Sequence, residues 1–411
     1  MRTATIEPSE TRTGRRDERV VTAYLAFLGI LLAFGIDVAL PAFDEIREAF
    51  DLDASGSAIS LIGTFYFLGM AAGQLVYGPL SDRYGRIPAL QVGLGLYALG
   101  ALGAALAPSF EMLLATRLLW GLGAAGPAAL RVAIARDLYS GDQMARVITI
   151  VMAVFLIGPI FVPMIGEGLI QTGSWQTVFI VAVGLAIVAV GSTIWFGETL
   201  APEDRRPFAV RPILDASKVV LTTRVSIGNI LAQTFGSAAF FIFLGSSQPV
   251  MDQIYGRADQ FAFIFGAIGV VTVGFLLVNH RLIRYHGAAK MVMATMQVLL
   301  VANLVGLLAI VAWGGVPPFW VWLFWVTVAS SLLTTATPMF SALALEPMGE
   351  IAGTASSILG FITLAGGALL AALVDSLIST SVTPMAVGYL GYGALALVAL
   401  AWAQRSSSDN N

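Results

Sequence analysis

Cysteine is absent from this chain, which excludes disulfides, thiol catalysis and cysteine-ligated metals. Histidine is nearly absent: His280 and His286 share one short polar connection and are expected to be solvated loop residues. Charge is scarce, 11% of residues where a soluble domain carries about 25%. No Gly-x-x-x-x-Gly-Lys-(Ser/Thr) loop occurs, which argues against ATP as an energy source. No nucleophile–base pair and no metal-ligand cluster stand out, so the sequence reads as a non-enzyme needing no cofactor and no metal. The net charge of −3 says little about partners, and nothing calls for nucleic acid.

What abounds is apolar sequence. Hydrophobic residues make up 57% of the chain, and the mean hydropathy is +0.84. The apolar runs are roughly 18–30 residues long, as a ~30 Å hydrocarbon core requires. The chain therefore reads as an all-α polytopic membrane protein. Twelve spans are expected, at 20–43, 56–77, 87–107, 111–138, 142–170, 175–197, 222–250, 259–280, 288–312, 318–345, 351–377 and 382–403. The first run is too long and too poorly cleavable for a secretory signal and is read as a retained span. The 43 glycines and 17 prolines suit membrane helices, where small residues permit close packing.

Lys and Arg set the orientation. Only Arg47 and Arg257 fall on the outer side and only Arg117 and Arg131 within spans; the rest fall on the cytoplasmic side if the amino terminus is inside. That group includes Arg12, Arg15, Arg16 and Arg19 before span 1, and Arg205, Arg206, Arg211, Lys218 and Arg224 between spans 6 and 7. Both termini are thus expected in the cytoplasm. The first outer loop carries Asp44, Glu45, Glu48, Asp51 and Asp53, read as a solvated acidic rim.

Residues 198–221 form the longest polar connection between spans and divide the chain near its middle. "DRYGRIPAL" after span 2 is faintly echoed by "IRYHGAAKM" after span 8, with Tyr84 aligned on Tyr285. Duplicated halves are a common transporter plan with the substrate site at their interface. The expected organisation is a tail (1–19), a six-helix bundle (20–197), a linker (198–221), a pseudo-symmetric second bundle (222–403) and a tail (404–411).

The stretch "GPLSDRYGRIPAL", residues 78–90, sets three charges between two apolar runs. Gly78, Asp82, Arg83, Gly85 and Arg86 stand in an order that resembles the loop signature of the major facilitator superfamily. "RLLWGLGAAGPAALRVAIARDLY" (117–139) resembles span 4 of its twelve-span drug:proton antiporters. "DVALPAF" (37–43), the "ARDLY" that closes span 4, and "IAGTASSILGF" (351–361) are similar to the bicyclomycin/chloramphenicol-resistance branch. "GPIFVPMIG" (158–166), with Gly158, Pro159, Pro163 and Gly166, resembles the antiporter signature of span 5, although Glu167 follows where the family more often has Gly.

Physical chemistry gives each motif a task. Asp37 is the only acid well inside the first half's spans, where a charge costs about 2.5–3.5 kcal/mol on insertion scales, so it should face a cavity or a partner. Pro41, one turn on, frees a backbone carbonyl near it and can bend the helix. Arg117 enters span 4 at a similar depth; always protonated, it cannot shuttle a proton but can change how a neighbouring acid holds one. The resemblance implies proton coupling by Asp37 and Arg117, with Asp37 also touching substrate. It further implies a cytoplasmic gate of Gly78, Asp82, Arg83, Gly85 and Arg86 completed by Asp137, and a span 5 that limits leak. Asp82 could also sit against the positive end of span 11. Some relatives carry a second acid two turns before the aspartate; here Gly29 stands there, leaving one intramembrane acid and favouring neutral or weakly charged substrates. Tyr24, Tyr66, Gln233, Phe240, Phe241, Gln297, Asn303 and Phe361 are candidate cavity walls, with Gln233, Phe240 and Phe241 on one face of span 7.

The leading expectation is a monomeric, proton-driven exporter of small amphipathic or apolar compounds such as antibiotics, in the inner membrane, with substrate, protons and lipid as partners. A dedicated metabolite exporter or a proton symporter of the same fold is the alternative. A receptor or scaffold without transport is the alternative of another class.

Overall fold

The computed structural model describes residues 17–52, 57–205 and 211–408. Arg12, Arg15, Arg16, Asp53 and Arg206, with most of the amino-terminal tail and part of the linker, lie outside them. Twelve long helices and two short ones follow in order: α1 Glu18–Asp37, short α2 Phe43–Ala49, α3 Leu61–Tyr84, α4 Arg86–Ala105, α5 Phe110–Leu138, α6 Gly141–Thr172 and α7 Gln176–Phe196. Then come short α8 Arg211–Thr222, α9 Arg224–Pro249, α10 Phe261–His286, α11 Ala288–Ala312, α12 Phe319–Leu345, α13 Ala352–Asp375 and α14 Thr383–Ser408. Among the described residues, eleven continuous stretches are long and apolar enough to span a membrane. The longest, Phe319–Asp375, breaks in a 3-10 turn at Gly349 (φ 46°) into α12 and α13, giving twelve crossings. Large apolar side chains such as Ile187, Ile194, Trp195 and Phe324 are exposed, as lipid-facing surfaces require.

Several element boundaries differ from the sequence expectation, among them the end of α3, which runs on to Tyr84 where 77 was expected and so carries Gly78, Asp82 and Arg83 on a helix. Helix α1 stops at Asp37, not at 43, because Pro41 has no N–H to donate and biases Leu40 away from helix. Five turn residues follow, then α2. Helix α10 runs on to His286, so His280 and His286 stand exposed on a helix, not in a loop. The polar linker contains α8, whose Ala216 and Val220 bury against Ile230, Ile358 and Leu359. The internal repeat shifts by one residue: the sharp turns are made by Gly85 (φ 106°) and Gly287 (φ 78°), which replaces the Tyr84–Tyr285 register.

Within the first six-helix bundle, α3 and α5 touch backbone to backbone. A Cβ on Gly121 would lie 1.9 Å from the Tyr66 carbonyl oxygen, and one on Gly69 1.9 Å from that of Leu118. Only glycine fits such a crossing. Between the bundles α3 packs on α13 and α6 on α10, where a Cβ on Gly266 would meet the Ile160 carbonyl at 2.8 Å. Phe67 of α3 stacks on Phe241 of α9 across the same boundary, with ring centroids 4.1 Å apart. The two ends of the molecule differ. At the end bearing the termini, a cleft of about 1040 Å³ lies between α3 and α5 on one side and the start of α13 on the other. At the far end the bundles meet through polar contacts, and the central cavity beneath them, about 20 Å³, has room for about one water.

Candidate functional site

The site starts with α1's early end. A helix leaves its last carbonyls without partners, and that of Gly35 is taken by Arg117 Nη1 at 3.1 Å. Arg117 Nε donates to the Ile62 carbonyl of α3 at 3.2 Å. One guanidinium on α5 thereby ties α1 to α3. Its flat faces lie against Tyr66 (4.6 Å) and Trp120 (4.8 Å), and Tyr97 packs edge-on against Trp120. Such cation–π contacts are worth about 2 kcal/mol when desolvated, which helps a 1% exposed arginine exist here. Gly35 makes the room: a Cβ there would meet the Tyr66 hydroxyl at 2.5 Å.

Asp37 lies two residues beyond the clamped carbonyl and is 2% exposed. The sequence suggested an Asp37–Arg117 pair; no ion pair forms, because the guanidinium is consumed by backbone carbonyls and aromatic faces. Among the described residues the Asp37 side chain has no hydrogen-bond partner. Tyr66 lies close enough to sense both charges. Arg117 and Tyr66 line the central cavity with Phe67 and Phe241; Ile36 of α1 and Ala39 and Leu40 in the turn after it line it too, while Asp37 is not among the lining residues.

The expected cavity walls divide. Tyr66 and Phe241 face the cavity. Tyr24 is buried against Phe196 of α7, with centroids 4.2 Å apart. Asn303 donates to the Tyr389 carbonyl at 3.1 Å inside the second bundle. Gln233 accepts from Ser341 at 3.0 Å, and Phe240 packs on Phe241 and Phe243, so the proposed shared face of span 7 splits in two. Gln297 and Phe361 are exposed and stand outside cavity and cleft. On α6, Gly158 and Gly166 admit α1: Cβ atoms there would lie 2.3 Å from Ala33 Cβ and 2.8 Å from the Val38 carbonyl. Pro159 and Pro163 sit within the unbroken 32-residue helix.

At the terminal end Arg86 gathers the charges that the sequence set together. Its Nε and Nη2 reach Asp137 Oδ2 and Oδ1 at 2.7 and 3.3 Å, and its Nη1 reaches Ser81 at 2.8 Å and Asp82 at 2.5 Å. Arg83 lies over Tyr84. Glu198, which the sequence assigned only to the linker, accepts from the Arg86 and Ile87 N–H groups at 2.9 and 3.2 Å. That caps the start of α4, and Gly85 must lack a side chain because a Cβ would come within 2.2 Å of Glu198 Oε2. The network joins α3, α4, α5 and the Glu198–Thr199 segment after α7, all in the first bundle. The expected contact of Asp82 with the start of α13 is not made; Gly78, Asp82 and Glu350 line the open cleft that separates them.

The far end carries the latch. Arg47 bridges Asp44 (2.9 Å) in α2 and Asp252 (3.4 Å) in the π turn Val250–Ile254, and Gln248 of α9 donates to Asp44 at 2.6 Å. Asp44, which the sequence placed in a solvated acidic rim, is thus part of a bridge between bundles, while Glu48 and Asp51 of that rim are exposed. Burial, then the neighbouring Asp252 carboxylate, push the Asp44 carboxyl up to about 6 against the pull of Arg47. A solvated aspartate titrates near ~3.9, so the closed end holds the proton better than an opened one. Falling pH through about 6 therefore favours closure, and the effect is complete once both forms are protonated. With the chain free of native cysteine, an Ala371→Cys reporter in the cavity wall can be challenged with an impermeant maleimide from the far end. Labelling, expressed at each pH relative to the same cysteine in the unfolded protein so that the thiolate fraction cancels, should fall between pH 7.5 and 5, and Asp44→Asn should remove that part of the dependence. A pH response unaltered by Asp44→Asn would refute the latch.

Sequence reasoning missed Asp375, the last residue of α13, 3% exposed and lining the same cavity as Arg117. The premise of a single intramembrane acid is therefore corrected. The signal was present: Asp375 falls inside the span bounded at 351–377, in "LLAALVDSLIS".

A family model described as Major Facilitator Superfamily matches residues 25–372. The chain belongs to that superfamily of membrane transporters. Over 369 residues it is 30% identical to the bicyclomycin resistance protein homolog of Haemophilus influenzae, covering 88% of this chain and 90% of that protein. It is 27% identical over 343 residues to the multidrug resistance protein MdtL of Shigella flexneri, covering 83% and 85%. Among solved structures, the inward open xylose transporter XylE from E. coli superposes with a TM-score of 0.75 at 14% identity, covering 94% and 96%. That likeness speaks for the fold alone.

Proposed function

We propose that this transporter exports small amphipathic or apolar compounds, antibiotics among them, in exchange for protons. The terminal end would face the cytoplasm of a bacterial inner membrane, following the arginine-rich connections there. The 20–197 and 222–403 bundles would rock about the central cavity, joined by 198–221, with 1–19 and 404–411 as cytoplasmic tails. The relatives' names support the substrate class. One observation carries the coupling: Asp37 is buried in a span without a hydrogen-bond or ion-pair partner among the described residues. A carboxylate so placed is costly when charged and is released from that cost by a proton. Arg117 fixes the turn that bears Asp37 against α3 and α5, so a change at Asp37 reaches the helices that form the cavity. The Arg86 network would hold the terminal ends of α3, α4 and α5 as one lever, and Asp82, paired with Arg86 yet 43% exposed, would meet α13 when the cleft closes. Span 5 would seal against leak through its glycine contacts with α1.

Proteoliposomes test the reading. With a pH gradient imposed, added chloramphenicol or bicyclomycin should dissipate it in proportion to drug moved. Gradient-driven accumulation in the proton's direction would mark a symporter, and absence of any flux a non-transporting receptor; either would overturn the proposal.

A further inference from the structure

Asp375 sits where the two bundles meet. The Ser246 hydroxyl of α9, in its own bundle, donates to Oδ1. Ser60, in the turn before α3 of the other bundle, lines both cavities beside the carboxylate, and its side chain interacts with it. The α9 backbone presses on it closely enough that a Cβ on Gly245 would lie 2.8 Å from Oδ2. On one side of this knot is the central cavity with Tyr66 and Arg117; on the other is a second cavity of about 20 Å³ lined by Pro249, Gln253 and Ser379. Asp375 lines both, so it forms the partition between the cavity and the far end.

Its charged and titratable surroundings are few. Tyr389 and Tyr392 of α14 lie near enough to feel its charge. Arg117 of α5 shares the cavity wall but is committed to the Gly35 and Ile62 carbonyls. From α9 and the Ser57–Ser60 turn it meets hydroxyls only. The nearest acids toward the far end are Asp44 and Asp252, engaged with Arg47. Among the described residues no cation pairs with Asp375.

We infer that Asp375 is a second proton-binding carboxylate, which latches the far end shut when protonated and releases it when ionised. Two hydroxyl donors cannot neutralise a buried negative charge, whereas a proton can, and the resulting acid keeps both contacts. Parting the bundles separates Ser60 from Asp375 and Ser246, admits water through the second cavity and solvates the ionised form. Proton binding and closure then favour each other reciprocally. The inference rests on the proton-coupled reading above and extends it: the titrating groups divide between the bundles, Asp37 in one and Asp375 in the other.

The Ala371→Cys reporter, labelled from the far end, tests this without requiring drug flux, so its outcome is separable from the proteoliposome assay. In an Asp37→Asn, Asp44→Asn background, labelling, expressed at each pH relative to the same cysteine in the unfolded protein so that the thiolate fraction cancels, should still rise severalfold as pH is raised. Adding Asp375→Asn should hold labelling at its low-pH level throughout. Ser60→Ala, which leaves the carboxylate in place and removes the hydroxyl that meets it from the other bundle, should raise labelling at low pH. The Ser60→Ala arm also stands if Asp375→Asn fails to fold. A pH response that survives Asp375→Asn, or low-pH labelling unchanged by Ser60→Ala, would overturn the inference.

Discussion

Asp37→Asn should uncouple transport while leaving the protein folded. The substitution keeps the side chain's shape, and no hydrogen bond or ion pair among the described residues is lost, since Asp37 makes none. The fold around it is held by other groups: the Arg117 bonds to Gly35 and Ile62 and the close approach of α6 through Gly158 and Gly166. What asparagine cannot do is take up and release a proton. In the parent, drug affinity should change with pH by roughly 5–150-fold, the usual range of coupling between two sites. In the variant that dependence should collapse and a pH gradient should no longer drive efflux, although drug still binds. Equilibrium binding of chloramphenicol at pH 5.5 and 8.5, paired with gradient-driven efflux, measures both. Parental coupling in Asp37→Asn would dismiss the carboxylate as a proton carrier.

Arg86→Ala should cost stability as well as transport. The side chain is 5% exposed and pairs in bidentate fashion with Asp137, itself 13% exposed, while Asp82 is 43% exposed and contributes little. Removing one partner of a buried pair costs about 3–5 kcal/mol; with half the network wet, the lower end, about 3 kcal/mol, applies. Most of that is the penalty of leaving Asp137 without its cation. Arg86→Ala combined with Asp137→Ala should therefore recover part of the loss. Arg86→Lys should not restore it, because one ammonium cannot reproduce the fork that reaches Asp137, Asp82 and Ser81 together. Thermal unfolding in detergent measures this, and an unchanged midpoint for Arg86→Ala would show that the network is ornamental to the fold.

Hydrophobic run length is a local property, and it gave the twelve crossings without any coordinates, while the superfamily came from the resemblance of the 78–90 loop and the span-4 and span-5 motifs. Legible too were the residues that chemistry made conspicuous: a lone acid in a span, an arginine facing it in sequence depth, and the ordered charges from Asp82 to Arg86. One boundary moved where a single residue acts on its neighbours, Pro41 ending α1 at Asp37.

Pairing was another matter. Arg117 and Asp37 suggested an ion pair, yet the guanidinium went to the Gly35 and Ile62 carbonyls, because a helix end offers orphan acceptors that no sequence displays. Glu198 became the cap of α4 only once the turn at Gly85 carried the chain past it. Asp375 lies 338 residues from Asp37, in the other bundle, and gained its meaning when Ser60 and Ser246 closed around it. Which acid is bare, which is clamped and which bridges two bundles depends on the directions in which side chains from distant segments converge. That convergence exists only after the helices have packed.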